Sequence, residues 1–195
     1  NFMTPGAIQM ASGHLVFPLA LQAEDIMFFD IAHALSNKCR FTGHTKKFYS
    51  VAEHSVLVSL VAEDLARRAG LSDRLIKLHA QQGVLHDCDE TYLPDIPTPI
   101  KYLPECTFLR EAGKRIFVTA MRVFDLPETE LQLVKQADKI LLVTEKRDLM
   151  SPVSGWEKEY AEQPLTNLKI VGMPPEQAYE YFVARYEQVF GVKVL

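Results

Sequence analysis

The sequence predicts an all-α domain with a small N-terminal β-hairpin. From residue 25 onward, apolar residues recur at the three- and four-residue intervals of amphipathic helices, and Ser-led caps stand at residues 50 and 72. Before residue 23 the pattern differs: two short apolar runs flank a turn-like stretch.

Ala7-Ile8-Gln9-Met10 and Leu15-Val16-Phe17 are those runs, and Ala11-Ser12-Gly13-His14 is the turn, so residues 1–23 read as a hairpin extension. Residues 25–37 place Ile26, Phe29, His33 and Leu35 at helical intervals, and a polar, basic loop follows from Lys38 to Tyr49. Ser50-Val51-Ala52-Glu53 has the form of a capping box, in which Ser50 takes a first-turn amide and Glu53 reaches back to the cap amide. The helix it opens runs to about Arg68 and stops at Gly70, with Leu57, Val58, Val61, Leu65 and His54 inward. Ser72-Asp73 caps the next helix, which turns Leu75, Leu78, Gln82 and Leu85 inward and carries His86-Asp87 near its end. Three prolines keep the stretch from Leu93 to Pro99 out of regular helix.

Helices are expected over 105–124 and 128–149, separated by Asp125-Leu126-Pro127. The second aligns Leu131, Val134, Asp138, Leu141, Leu142 and Glu145 on one face. Residues 151–172, with Pro152, Gly155, Pro164 and Gly172, read as irregular. Pro174-Pro175 opens a last helix with Ala178, Tyr181, Phe182 and Val189 inward, and its aromatic residues either pack on the core or form an interface. No linker or repeat divides the chain, so residues 1–195 read as one domain, with 25–149 the core and 150–195 a C-terminal segment and helix.

Composition narrows the function. With 195 residues, 48% hydrophobic and a net charge of −4, the chain is an ordinary folded domain with no global pull toward nucleic acid or anionic lipid. Any anionic ligand needs a local cationic cluster. Three cysteines without pair spacing fit reduced thiols and a cytoplasmic location. The uncharged first 23 residues are broken by Pro and Gly and lack a basic start, so they read as neither signal peptide nor membrane anchor.

His54, the His86-Asp87 pair and Asp138 sit inward on three separate helices. Buried polar groups must be paired or bound to metal, and two imidazoles with two carboxylates suit a divalent transition ion. The dipeptide alone is weak, since six His and ten Asp give a chance His-Asp about 0.3 times in a chain of this size. Its surroundings are specific. His86-Asp87-Cys88-Asp89-Glu90 leads into Asp95-Ile96-Pro97-Thr98-Pro99-Ile100-Lys101, with Glu53-His54-Ser55 before it and Lys135-Gln136-Ala137-Asp138 after it.

This ordered set resembles the HD-domain metal-dependent phosphohydrolases, and within them the 5′-deoxynucleotidase-like group; the likeness covers about residues 25–149. The resemblance implies an HD-domain helical bundle with His54, His86, Asp87 and Asp138 holding a divalent ion (Co, Mn, Zn, Ni or Mg). It implies Glu90 as the group that orients or deprotonates the attacking water and Asp95 as the group assisting the leaving oxygen. Arg40 and the aromatic Phe41, where relatives carry Trp, would form a sugar and phosphate wall, with Lys101 and Lys135 as further phosphate cations. Lys46, Lys47 and Lys139 read as solvated surface, and His33, His44 and His79 receive no role.

The implied reaction is hydrolysis of the 5′ phosphoester bond of a 2′-deoxynucleotide. The interval of 138 − 87 = 51 residues between Asp87 and Asp138 resembles the compact phage enzymes that release triphosphate from dATP, which sets a dNTP triphosphohydrolase ahead of a dNMP 5′-nucleotidase. A non-catalytic nucleotide-binding module is the alternative from another class; intact Glu90, Asp95 and Lys101 count against it. A nucleic-acid partner is not expected in the absence of a long basic stripe, and neither is a membrane. By the same resemblance the chain is expected to form a homo-oligomer, a dimer or hexamer.

Overall fold

The structure, a computed structural model, describes residues 6–152 and 161–194; Pro5 and Gly155 of the sequence-based assignments lie outside them. The hairpin pairs β1 (Ile8–Gln9) with β2 (Leu15–Val16) in antiparallel register, Ile8 opposite Val16. Its turn is pinned to the first helix, because the Ser12 amide and hydroxyl both donate to the buried Asp30 carboxylate at 2.8 and 2.7 Å.

Seven α-helices follow among the described residues: α1 (Phe28–Asn37), α2 (Val51–Arg68), α3 (Asp73–Leu85), α4 (Thr98–Lys101), α5 (Thr107–Val123), α6 (Gln132–Leu149) and α7 (Pro175–Phe190). α1 starts three residues later than the periodicity predicts, since a 3-10 turn takes Ala23–Asp25. α6 likewise starts at Gln132, four residues after the predicted 128. α4 lies partly inside the proline stretch; Pro99 is accommodated there because first-turn amides need no helical partner.

α2 is the hub, with apolar clusters on two sides. Val51, Ala52 and Val56 join α1, α3 and α7 through Ile31, Leu35, Val84 and Phe182, while Val58 and Ala62 join α6 through Val134, Ala137 and Leu141. The aromatic residues of α7 pack inward: the Phe28 and Tyr186 rings stack at 3.8 Å, and Tyr186 stacks on Phe190 at 4.3 Å.

The α2–α3 crossing is unusually close. A Cβ on Gly83 would stand 2.8 Å from the Ser59 Cα, and the Ser59 hydroxyl donates to the Ala80 carbonyl at 2.6 Å. Small residues therefore set the phase of α3. Ile76, His79, Ala80 and Gly83 face inward, while the predicted inward Leu75 is 41% exposed.

Caps also differ from expectation in detail. Ser50 accepts from the Glu53 amide at 3.0 Å as predicted. The Glu53 carboxylate does not return to the cap; it accepts from the Met173 amide at 3.0 Å and so ties the C-terminal segment to α2. Ser72 stands at the α3 N-cap without a side-chain cap bond.

Candidate metal centre

Four segments deliver the site. Lys38 to Arg40 is extended and bridges back to the start of α2, with the Arg40 amide donating to the Tyr49 carbonyl at 2.9 Å and the Val51 amide to the Lys38 carbonyl at 3.0 Å. In extended chain, residues i and i+2 share a side, so Lys38 and Arg40 both face the site. His54 lies in the first turn of α2, His86 and Asp87 directly follow α3, and Asp138 is in the second turn of α6.

Their polar atoms converge. His54 Nε2 lies 3.3 Å from His86 Nε2, 3.7 Å from Asp87 Oδ2 and 3.1 Å from Asp138 Oδ1, and His86 Nε2 lies 3.3 Å from Asp87 Oδ2. Ligands held about 2.0–2.1 Å from a tetrahedral ion stand about 3.3 Å apart, so these separations fit one divalent ion. His54, His86 and Asp87 form the compact face of the cluster, and Asp138, its side chain 39% exposed, lies at the open side.

Ring tautomers support the same fit. His86 Nδ1 stands 2.9 Å from the Gly83 carbonyl, which only accepts, so Nδ1 carries the proton and Nε2 presents its lone pair. His54 Nδ1 stands 2.5 Å from Glu145 Oε1 in the same arrangement. Two imidazole lone pairs and the Asp87 carboxylate, close to one another, with Asp138 reaching His54 from the open side, form a donor set for a cation.

The electrostatics agree. Burial disfavours the His54 and His86 cations, yet the surrounding acids override it: Glu145 and Asp138 raise His54, and Asp87 raises His86 to about 10. Asp87 is held far below the usual carboxylate range, because the charge of His86 and its hydrogen bond outweigh burial. The field in the cleft favours positive charge.

Glu90 is 5% exposed with its Oε2 unpartnered among the described residues, and burial, with the charges of Asp87 and Asp95, pushes its carboxyl well above normal. Asp95, half-buried nearby, is also raised, by burial against the lowering charge of Arg40. Lys101 faces the same acids, with burial opposed by Asp89, Asp87, Glu90 and Asp95, and it has no ion-pair partner among the described residues. Lys135 is peripheral and half-exposed, 3.8 Å from Glu130. Arg40 places Nη1 3.4 Å from Asp87 and Nη2 3.3 Å from Glu145, with its guanidinium 5.7 Å from the Phe41 ring centre. Phe41 and Thr42 both have left-handed backbone, φ 53° and 52°, a strained bend beside the cleft.

The structure thus brings together His54, His86, Asp87, Asp138, Glu90, Asp95, Arg40, Phe41 and Lys101, and leaves Lys135 at the rim. It adds three residues given no role from sequence. Glu145 is fully buried and also accepts from the Tyr49 hydroxyl at 2.7 Å. Lys38 donates to the carbonyls of Glu90 and, at 2.7 Å, Leu93, fastening the Glu90–Asp95 loop. Glu145 lies seven residues after Asp138 on the predicted inward face, and Lys38 two before Arg40; those intervals were the available signals.

The described residues contain no helix long and apolar enough to cross a membrane. No family model matches the chain. The protein is 34% identical to the uncharacterized protein YfdR of Escherichia coli K12 over 185 residues, 93% of this chain and 94% of that one. It is 30% identical to the uncharacterized protein RCAP_rcc00048 of Rhodobacter capsulatus over 190 residues, 91% of this chain and 92% of that one. Among solved structures it is similar to the HD phosphohydrolase DatZ of cyanophage S-2L, bound to dA and one catalytic Zn2+ ion, with a TM-score of 0.55 and 16% identity over 85% of this chain and 97% of that chain. The chain therefore belongs to one family with YfdR, and its fold is that of the HD phosphohydrolases.

Proposed function

We propose that the protein is a metal-dependent phosphohydrolase that cleaves the 5′ phosphoester bond of a 2′-deoxynucleotide and releases the deoxynucleoside. The observation that carries this reading is the convergence of the His54, His86 and Asp87 ligand atoms within 3.3–3.7 Å of one another, with Asp138 Oδ1 3.1 Å from His54 Nε2, beside the unpartnered Glu90 oxygen. A divalent ion held by His54, His86, Asp87 and Asp138 would supply Lewis-acid polarisation of a phosphoryl oxygen and acidify the attacking water toward a pKa of about 7.

The chain's own residues account for the proton transfers. Water oxygen bonds to phosphorus while the bond from phosphorus to the 5′ oxygen breaks. With a cation at the cluster offsetting the charge of Asp87, Glu90 would be ionised and take the water proton, and Asp95, raised by burial toward its protonated form, would give a proton to the departing 5′ oxygen. Arg40 and Lys101 hold the phosphoryl oxygens, Phe41 flanks the sugar, and Lys135 at the rim meets outer phosphates.

We place a dATP-type triphosphohydrolase first, supported by DatZ, a fold relative with dA bound, and by the cations gathered at the cleft. One observation favours a monophosphate 5′-nucleotidase instead: Arg40 already faces Asp87 and Glu145, and Lys135 faces Glu130, which leaves Lys101 as the unpaired cation among the described cleft residues. Incubating the protein and Co2+, Mn2+ or Mg2+ with dATP and dAMP separates the two. Triphosphate from dATP supports the first reading, orthophosphate from dAMP the second, and no turnover of either refutes both.

A further inference from the structure

The geometry points to Glu145 as a positioning residue that couples the metal ligands to the phosphate-facing arginine. The inference rests on the reading of His54 as a metal ligand. Glu145 is 0% exposed, and a carboxylate so placed needs partners for both oxygens. Oε1 receives the His54 Nδ1 proton at 2.5 Å and the Tyr49 hydroxyl at 2.7 Å; Oε2 faces Arg40 Nη2 at 3.3 Å. The other arm of Arg40 faces Asp87 Oδ2 at 3.4 Å, and that oxygen lies 3.7 Å from His54 Nε2.

These contacts close a ring: Glu145 to His54, His54 to Asp87, Asp87 to Arg40, and Arg40 back to Glu145. Two members are ligand candidates and one is the phosphate cation. Glu145 touches no reacting atom in this arrangement and acts through its neighbours. By accepting from Nδ1 it fixes the His54 tautomer and ring angle, so that the Nε2 lone pair meets the ion. By holding Nη2 it keeps Arg40 from settling wholly on Asp87, which would draw that carboxylate away from the ion. Tyr49, packed without solvent contact and fixed by the bridge that starts α2, keeps the carboxylate from rotating. No other acid among the described residues meets both a ligand candidate and Arg40 from full burial.

The test is Co2+ affinity of the full chain, read by calorimetry and by the visible spectrum of the bound ion, in wild type, Glu145→Gln and Tyr49→Phe. A glutamine keeps the volume but offers one acceptor atom and turns an NH2 group toward His54 or Arg40. Glu145→Gln that retains wild-type helical circular dichroism is expected to bind Co2+ about 10- to 100-fold more weakly, with an altered d–d spectrum. A folded Glu145→Gln with affinity within about twofold of wild type overturns the inference and leaves the metal reading standing. Should Glu145→Gln fail to fold, Tyr49→Phe decides: weakening of about threefold or more supports the inference, and unchanged affinity overturns it. Wild type that binds no Co2+ overturns the metal reading, and this inference with it.

Discussion

The Nε2 atoms of His54 and His86 face each other across 3.3 Å, while the Nδ1 of each ring is committed to an acceptor in its own segment's surroundings, Glu145 and the Gly83 carbonyl. Two lone pairs at that separation repel unless a cation lies between them, and a divalent ion would take the place of the proton that the surrounding acids otherwise favour on these rings. Binding of a divalent ion to the folded chain alone therefore stabilises it, by about 2.7 kcal/mol at a free concentration 100 times Kd. In a domain of this size that raises Tm by roughly 5–10 °C. Differential scanning calorimetry with Zn2+ or Co2+ against EDTA measures it; coincident melting curves would count against the metal centre.

Asp87 is the ligand candidate that joins both imidazoles to the arginine, within 3.7 Å of His54, His86 and Arg40. Asp87→Ala is expected to lose ion binding and hydrolysis together while keeping its helical circular dichroism. The apolar contacts of α2, α3 and α6 do not involve the carboxylate. Residual turnover above about 1% of wild type would refute the assigned role, because removal of a ligand is expected to cost far more than a tenfold change.

Gly83 bears on stability and on the site at once. A Cβ there stands 2.8 Å from backbone, which cannot yield as a side-chain tip would. Gly83→Ala gains up to about 1 kcal/mol in helix propensity and loses about 1–3 kcal/mol to overpacking, for a net loss of roughly 1 kcal/mol. Pushing α3 off α2 also separates His86, three residues on, from His54. Urea unfolding with a parallel Co2+ titration should show both effects; stabilisation with undiminished affinity would contradict the close-crossing account.

The grouping of the four candidate ligands was legible in the sequence because a metal site would restrict residue type, and a helical face restricts spacing. His54, Asp138 and Glu145 could be put on inward faces from periodicity, and the His86-Asp87 pair needed only its neighbouring motif. Partners that depend on tertiary meeting were not legible. Lys38 reads as one more base in a polar loop until the Glu90 and Leu93 carbonyls, more than 50 residues away, arrive beside it. Glu53 fits a capping box in isolation, yet the Met173 amide takes its carboxylate. The inward face of α3 was misread at Leu75 because a close approach at Gly83 and Ala80, rather than the largest apolar side chains, fixes its rotation.

Asp148 gives a pH-dependent prediction outside the cleft. Its side chain is 0% exposed and accepts from Arg147 at 2.8 and 2.9 Å, Lys169 at 2.9 Å and the Ile170 amide at 2.8 Å. These donors outweigh burial and hold its pKa well below the ordinary 3.8. A depressed folded-state pKa stabilises the fold above the unfolded value, and that stability is lost as pH falls through 3.8 toward the folded value. Asp148→Asn should cost about 2 kcal/mol at pH 7, and the gap to wild type should narrow between pH 4 and pH 2. Urea unfolding across that range checks it; a gap that stays constant would remove the charge from the explanation.

Lys38 holds the loop that carries both proposed proton-transfer groups. Its Nζ donates to the Glu90 and Leu93 carbonyls, at either end of the turn that leads to Asp95, and burial lowers the ammonium's pKa despite the pull of Glu90, Asp95 and Asp89. Lys38→Met keeps the apolar stem and removes the donor. The two lost bonds should lower stability by about 2 kcal/mol. The larger effect should be kinetic. Freed from its staple, the loop samples positions in which Glu90 and Asp95 miss the reacting oxygens, and a misplacement near 1 Å costs up to about 100-fold in rate. We expect kcat to fall about tenfold or more while KM changes little, because Arg40 and Lys101 still bind phosphate. Amide hydrogen exchange over residues 89–95 should accelerate in parallel. A variant with wild-type kcat and unchanged exchange would show that the loop holds its shape without Lys38.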